Sequence, residues 1–127
     1  MNGLTNDRFV LDSCTCMNFL NKRIPLLPWG NLFISVITRM ELLSKPDHTA
    51  ESEQEVREFL KKTMVVPMFD AIERIATSIR REGSPRPKLP DAIVAATAVV
   101  LNAKLVTADD KLGRLVWPGF EAIPAFL

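Results

Sequence analysis

The stretch from Lys88 to Asp109 reads KLPDAIVAATAVVLNAKLVTAD. Pro90 stands where helices begin, because its ring is suited to the first turn and needs no hydrogen-bond partner there. Asp91 to Ala103 then runs nearly all apolar, which describes a helix buried on every side. Its most apolar part, Ala92 to Leu101, is half the roughly 20 residues that a membrane span needs. Lys104-Leu105-Val106-Thr107 reads as a short strand. A fully buried helix feeding a short apolar strand is a building unit of a parallel sheet covered on both faces.

Working outward, the rest of the chain repeats that alternation. Phe9-Val10-Leu11 predicts a buried strand ending at Asp12, and Ser13 to Lys22 is compatible with a helix. Pro25, Pro28 and Gly30 mark a loop. Leu32 to Ile37 reads as the clearest strand, with Thr38 capping a short helix over Arg39 to Ser44 that Pro46 stops. Residues 47–62 carry Val56, Phe59 and Leu60 on one side, an amphipathic surface helix. Met64-Val65-Val66 predicts a third strand, and Met68 to Arg81 a helix with apolar residues at Phe69, Ile72, Ile75, Ala76 and Ile79. Asp109 to Leu115 reads as a loop or single turn, and Phe120 to Ile123 as an edge strand. The expected architecture is a three-layer α/β/α sandwich around a central, mainly parallel sheet of four to five strands, in a single domain over 1–127.

Composition narrows the possible functions. The 127 residues are 47% hydrophobic and 24% charged, with 16 Lys plus Arg against 15 Asp plus Glu. That balance excludes overall disorder, and a net charge of +1 carries no strong electrostatic signature of a nucleic-acid binder, although a locally basic groove remains compatible with it. With no membrane span and no N-terminal secretion signal, a cytoplasmic location is expected. Cys14 and Cys16, two residues apart on a helix, point in different directions and read as buried thiols without a disulfide. The lone His48 sits in a polar loop and reads as a surface histidine. Glycine is too sparse for a phosphate-cradling loop.

In an open parallel sheet, sites form beyond the carboxyl ends of the strands. Four acids stand there or in the helix feeding the last strand: Asp12, Glu41, Asp91 and Asp109. Each has an ordinary structural use. Asp12 and Asp109 suit helix N-caps, Thr38 with Glu41 matches a capping box, and Asp91 complements a helix dipole. Together they raise a charge problem, since no Lys or Arg is placed to neutralise them. Two carboxylates about 5 Å apart repel by roughly 3 kcal/mol at an effective dielectric near 20. A hard divalent cation such as Mg²⁺ or Mn²⁺ relieves this and suits an oxygen-only ligand set.

The segments Leu11-Asp12-Ser13, Ile34 to Thr38 with Glu41-Leu42-Leu43, Lys88 to Thr97, and Leu105 to Asp109 resemble PIN-domain ribonucleases, most closely VapC-type toxins of toxin–antitoxin pairs. The resemblance covers nearly the whole chain. It implies a metal-dependent endoribonuclease, the toxin of a type II pair, with Asp12, Glu41, Asp91 and Asp109 as its acids. Asp12 and Asp91 would bind Mg²⁺ or Mn²⁺ directly, Asp109 directly or through water, and Glu41 would orient or deprotonate the attacking water. Asp109 is preferred to Asp110 for its spacing from Thr107. Ser13 and Thr107 would hydrogen-bond to the metal-binding acids. Cys14 stands where the family often has Asn. Arg39, Arg80, Arg81, Arg86 and Lys88 are candidates to position RNA phosphates.

The resemblance also implies a protein antitoxin, and the apolar composition is compatible with a homodimer. Met17, Phe19, Leu20, Phe59 and Leu60 are candidates for either face, or for ordinary core. Two rival readings are a phosphotransfer domain and a non-catalytic binding module with a vestigial metal site. A dehalogenase-type phosphotransfer site would want an acid where Cys14 stands.

Overall fold

The computed structural model describes residues 7–125. Five strands form one sheet in the order β3-β2-β1-β4-β5, and every neighbouring pair is parallel. These strands are β1 (Arg8–Leu11), β2 (Asn31–Ser35), β3 (Met64–Val66), β4 (Lys104–Thr107) and β5 (Ala122–Pro124). The helices are α1 (Ser13–Leu20), α2 (Val36–Leu43), α3 (Ala50–Leu60), α4 (Asp70–Glu82), α5 (Leu89–Leu101) and the short α6 (Asp110–Gly113).

The strands alternate between two cores, as a pleated sheet requires. Val10 and Leu105 pack with Ile72, Ala76 and Ile79 of α4, and with the alanines of α5, on one face. Phe9, Leu11, Ile34 and Val106 pack with Cys16, Leu42, Val56 and Phe59 on the other. The outcome is the expected α/β/α sandwich. Met17, Phe19, Leu20 and Leu60 are half-buried against the second core, and the Phe19 and Phe59 rings meet at 5.8 Å. In this chain those apolar residues serve as core.

Helix α5 is buried continuously from Ala92 to Ala98. Its small side chains let it lie close under the sheet. It stops at Asn102, which adopts the left-handed conformation at φ 53°, a shape Asn tolerates better than most residues. The Ala103 N–H then closes the end on the Ala98 carbonyl at 2.9 Å.

Several boundaries differ from expectation: β5 is Ala122–Pro124 and leaves out Phe120 and Glu121, α4 starts at Asp70 and not Met68, α5 runs Leu89–Leu101 and not Asp91 to Ala103, and the junction of β2 with α2 moves most in character. Strand β2 ends at Ser35, and Val36 and Ile37 already belong to α2. Ser35 is the cap, accepting from the Ile37 N–H at 3.2 Å. Thr38 therefore lies inside the helix, and no Thr38–Glu41 capping box forms. Strand propensity misleads here because a good cap starts a helix despite two β-branched residues in its first turn.

His48 is not a loose surface residue. Its Nε2 donates to the Leu42 carbonyl at 2.7 Å and its Nδ1 meets Ser52 Oγ at 2.9 Å. It ties the end of α2 to the start of α3. His48→Ala should cost about 1–2 kcal/mol of stability, read as a lower denaturant midpoint.

Candidate functional site

Because all five strands run the same way, their carboxyl ends lie at one edge. Asp12 leaves β1 and caps α1, its Oδ1 accepting from the Thr15 N–H at 2.8 Å. Its Oδ2 accepts from the Thr107 hydroxyl at the end of β4. The same Thr107 oxygen accepts from the Asp109 N–H at 3.0 Å. Asp109 caps α6, taking the Leu112 N–H at 3.0 Å. Thr107 is thus a bridge between two of the acids, and the capping uses of Asp12 and Asp109 are real. Asp12 is buried and Asp91 and Glu41 are half-buried.

Electrostatics ties the set together. The carboxyl of Asp91 is raised above its ordinary value, first by desolvation, then by the charges of Asp109, Asp12 and Glu41. Four chain segments therefore bring acids within interaction range of one another. Among the charges acting on Asp91, that of Asp109 comes first. Lys88, just before α5, opposes the shift without cancelling it. The ion pairs Arg57–Glu53, Lys61–Glu58 and Arg74–Asp70 lie within α3, α4 and the residue after α3. None engages the four acids.

Thr38 Oγ1, one helical turn before Glu41, is buried and lacks a hydrogen-bond partner among the described residues. Ser13 makes no side-chain hydrogen bond to the acids among these residues. The second donor to Asp12 is the Thr15 N–H, a consequence of capping. Cys14 and Cys16 are both free, but only Cys16 is buried. Burial, then the nearby Asp12 charge, pushes the Cys16 thiol far above its ordinary range. Exposed Cys14 is a correction to the expectation of two buried thiols.

Three clefts surround the acids. One of about 320 Å³ is lined by Ser13, Cys14 and Glu41, with Arg23 and Lys45. Another of about 220 Å³ is lined by Asp91 and Asp109, with Lys88 and Lys111. The third, of about 440 Å³, opens beside Thr107 and Asp109. Of the expected basic residues only Lys88 lines any of the three. Arg39, Arg80, Arg81 and Arg86 are exposed and line none of the three. Arg23, Lys45 and Lys111 were not evident from sequence, although Lys45 follows Glu41 by four residues and Lys111 follows Asp109 by two.

A model of the PIN domain matches residues 10–117. The chain belongs to the PIN domain family. Among curated proteins no sequence matches it. Solved structures share the fold of this PIN domain. VapBC2 from Rickettsia felis, bound to a DNA fragment from its promoter, is 20% identical with a TM-score of 0.77, covering 92% of this chain and 98% of that one. A toxin–antitoxin complex from Klebsiella pneumoniae is 23% identical with a TM-score of 0.73, over 92% and 97% of the two chains. VapBC-5 from Mycobacterium tuberculosis is 22% identical with a TM-score of 0.69, over 92% and 98%.

The donor set of this PIN domain fits a hard divalent cation in chemistry. It offers carboxylate oxygens alone, none of them in an ion pair among the described residues, and the buried Thr38 hydroxyl, unpartnered among those residues, lies a turn from Glu41. Among the described residues no three His, Cys, Asp or Glu side chains already stand as a metal-binding group. The pocket is arranged in charge more than in ligand geometry. Thr107→Val should weaken cation affinity by about 10–100-fold, since it frees one Asp12 oxygen and the Asp109 N–H from their shared partner. Calorimetric titration with Mn²⁺ would measure this.

Proposed function

We propose that this PIN domain is a metal-dependent endoribonuclease and the toxin of a type II toxin–antitoxin pair, with 1–127 acting as a single domain in the cytoplasm. The observation that carries the reading is the raised Asp91 carboxyl, held up by burial and by three acids from other segments with no ion pair among them. A bound Mg²⁺ or Mn²⁺ would activate water and offset charge on the scissile phosphate. Asp12 and Asp91 would hold it, with Asp109 as a direct or water-mediated ligand. Glu41 would orient the attacking water or take its proton. Thr107 fixes the Asp12 carboxylate, and the Thr15 N–H holds its other oxygen. Lys88 and Lys111 beside Asp91 and Asp109, and Arg23 with Lys45 beside Glu41, would take the flanking phosphates.

The neighbours from toxin–antitoxin complexes support a cognate antitoxin as partner. A partner or a second copy is also supported by exposed apolar residues, including Met64 on β3 and Met68 and Phe69 just after it. The described residues contain no helix long and apolar enough to cross a membrane. The absence of a ready-made metal group favours one alternative, a non-catalytic PIN module with a vestigial site. Incubation of the full chain with RNA decides between them. Cleavage is expected with Mg²⁺ or Mn²⁺ and lost with excess chelator. Failure to cut in either cation would overturn the enzyme reading.

A further inference from the structure

The three clefts around the acids differ in a way that suggests a division of labour. One sets two cations against one acid and another sets two cations against two acids, so each carries at least one cation per acid for a phosphate-bearing strand. The third and largest of these, about 440 Å³, has one arginine, Arg114, against Asp109 and Asp110, so its charge does not favour phosphate. Its lining is otherwise largely apolar, including Ile24, Ile123 and Pro124, with the Asn18 amide among it. An apolar recess with a few polar groups, of this volume, is a small-molecule type of site.

We infer that this recess receives one unpaired nucleobase of the RNA strand, adjacent to the phosphate that is cut. The inference rests on the ribonuclease reading and deepens it. Single-stranded RNA is read by splaying bases out of the stack and bonding to their edges, and this recess offers an apolar wall of Ile24, Ile123 and Pro124 with polar groups at Asn18, Thr107 and Arg114. Asn18 offers both donor and acceptor groups. Its one side-chain hydrogen bond among the described residues is a weak donation from Nδ2 to Cys14 Sγ at 3.8 Å, so its side-chain Oδ1 is uncommitted among them. Asn18 also lines the Glu41 cleft, so it stands between the base recess and the acid site. Asp109 and Thr107 place the recess directly beside the acids.

Gly113 allows a clean block. It is exposed, it lines the recess, and a Cβ added there meets nothing within 4 Å. Gly113→Trp should therefore fold normally and fill the recess. Nucleoside 5′-monophosphates titrated into the isotope-labelled full chain without divalent cations should shift the amides of Asn18, Ala108 and Ile123, most strongly for one base. Gly113→Trp should abolish those shifts. In parallel, random-sequence RNA cut with Mg²⁺ should show a nucleotide bias beside the cut. Gly113→Trp should erase that bias and raise KM on the order of tenfold while sparing kcat. No shift with any monophosphate, or an unchanged bias in Gly113→Trp, overturns the base site. Shifts without any RNA cleavage would instead overturn the ribonuclease reading and leave the recess as a nucleotide site.

Discussion

Asp91→Asn is expected to abolish RNA cleavage and, in the same protein, to raise the melting temperature at neutral pH without divalent cations. On the proposed role of Asp91 as a cation ligand, losing its charge should cost at least about 100-fold in rate. The stability gain follows from linkage. The ordinary carboxyl value is 3.8, and burial with three neighbouring acids raises Asp91 above it in the folded chain. Between those two values the folded chain keeps a proton that the unfolded chain has released. Stability is fully present below the ordinary value and falls as pH rises through the raised one. Asn cannot ionise, so the variant escapes that loss. Thermal melts from pH 3 to pH 8, with and without Mn²⁺, check both parts. The parent should gain more stability from Mn²⁺ than the variant does. A variant that melts below the parent at neutral pH without cations contradicts the repulsion, and retained cleavage removes Asp91 from the site.

Asp12→Ala should lose cleavage to a similar extent but move stability the other way. Asp12 is only 6% exposed and satisfies two donors at once. Alanine removes the cap of α1, at about 1 kcal/mol. It also leaves the Thr107 hydroxyl without its acceptor in a buried setting, at about 1–3 kcal/mol. Relief of repulsion on Asp91 returns part of this, so a net loss of about 2 kcal/mol is expected. Asp12→Asn keeps a capping oxygen and should recover most of the stability while remaining inactive. Denaturant melts with an unchanged slope would measure the difference. Equal stability of the alanine variant and the parent would mean that the Asp12 hydrogen bonds carry no weight.

The opposite signs expected for Asp91 and Asp12 bear on which parts of the site sequence can reveal. Their place in the fold was legible because Asp12 follows a strand and Asp91 starts a buried helix, and those positions are set by local pattern. Helix α5 with β4 was legible for the same reason, the apolar run and Pro90 being local signals. The end of β2 was not, because Val36 and Ile37 favour strand while Ser35 starts a helix. The basic rims were hidden as well. Arg23 lies in the loop after α1, Lys45 just beyond α2 and Lys111 in α6, and only the tertiary fold gathers them around the acids. The hydrogen bond from Thr107 to Asp12 joins residues 95 positions apart, a distance no periodicity can report. Cys14 and Cys16 differ in exposure because residues two apart on α1 face different surroundings.

The sheet margins have a consequence for assembly. Both outermost strands, β3 and β5, are three residues long. Pro67 follows the first at once, and Pro124 closes the second. So few free amides, interrupted by residues that lack one, give another chain almost no template on which to extend the hydrogen-bonded ladder. Self-association into stacked filaments is disfavoured at both flanks. Any companion polypeptide must instead bind through side chains on the outer surfaces of the helices and loops, where contact chemistry can discriminate a cognate sequence from its relatives.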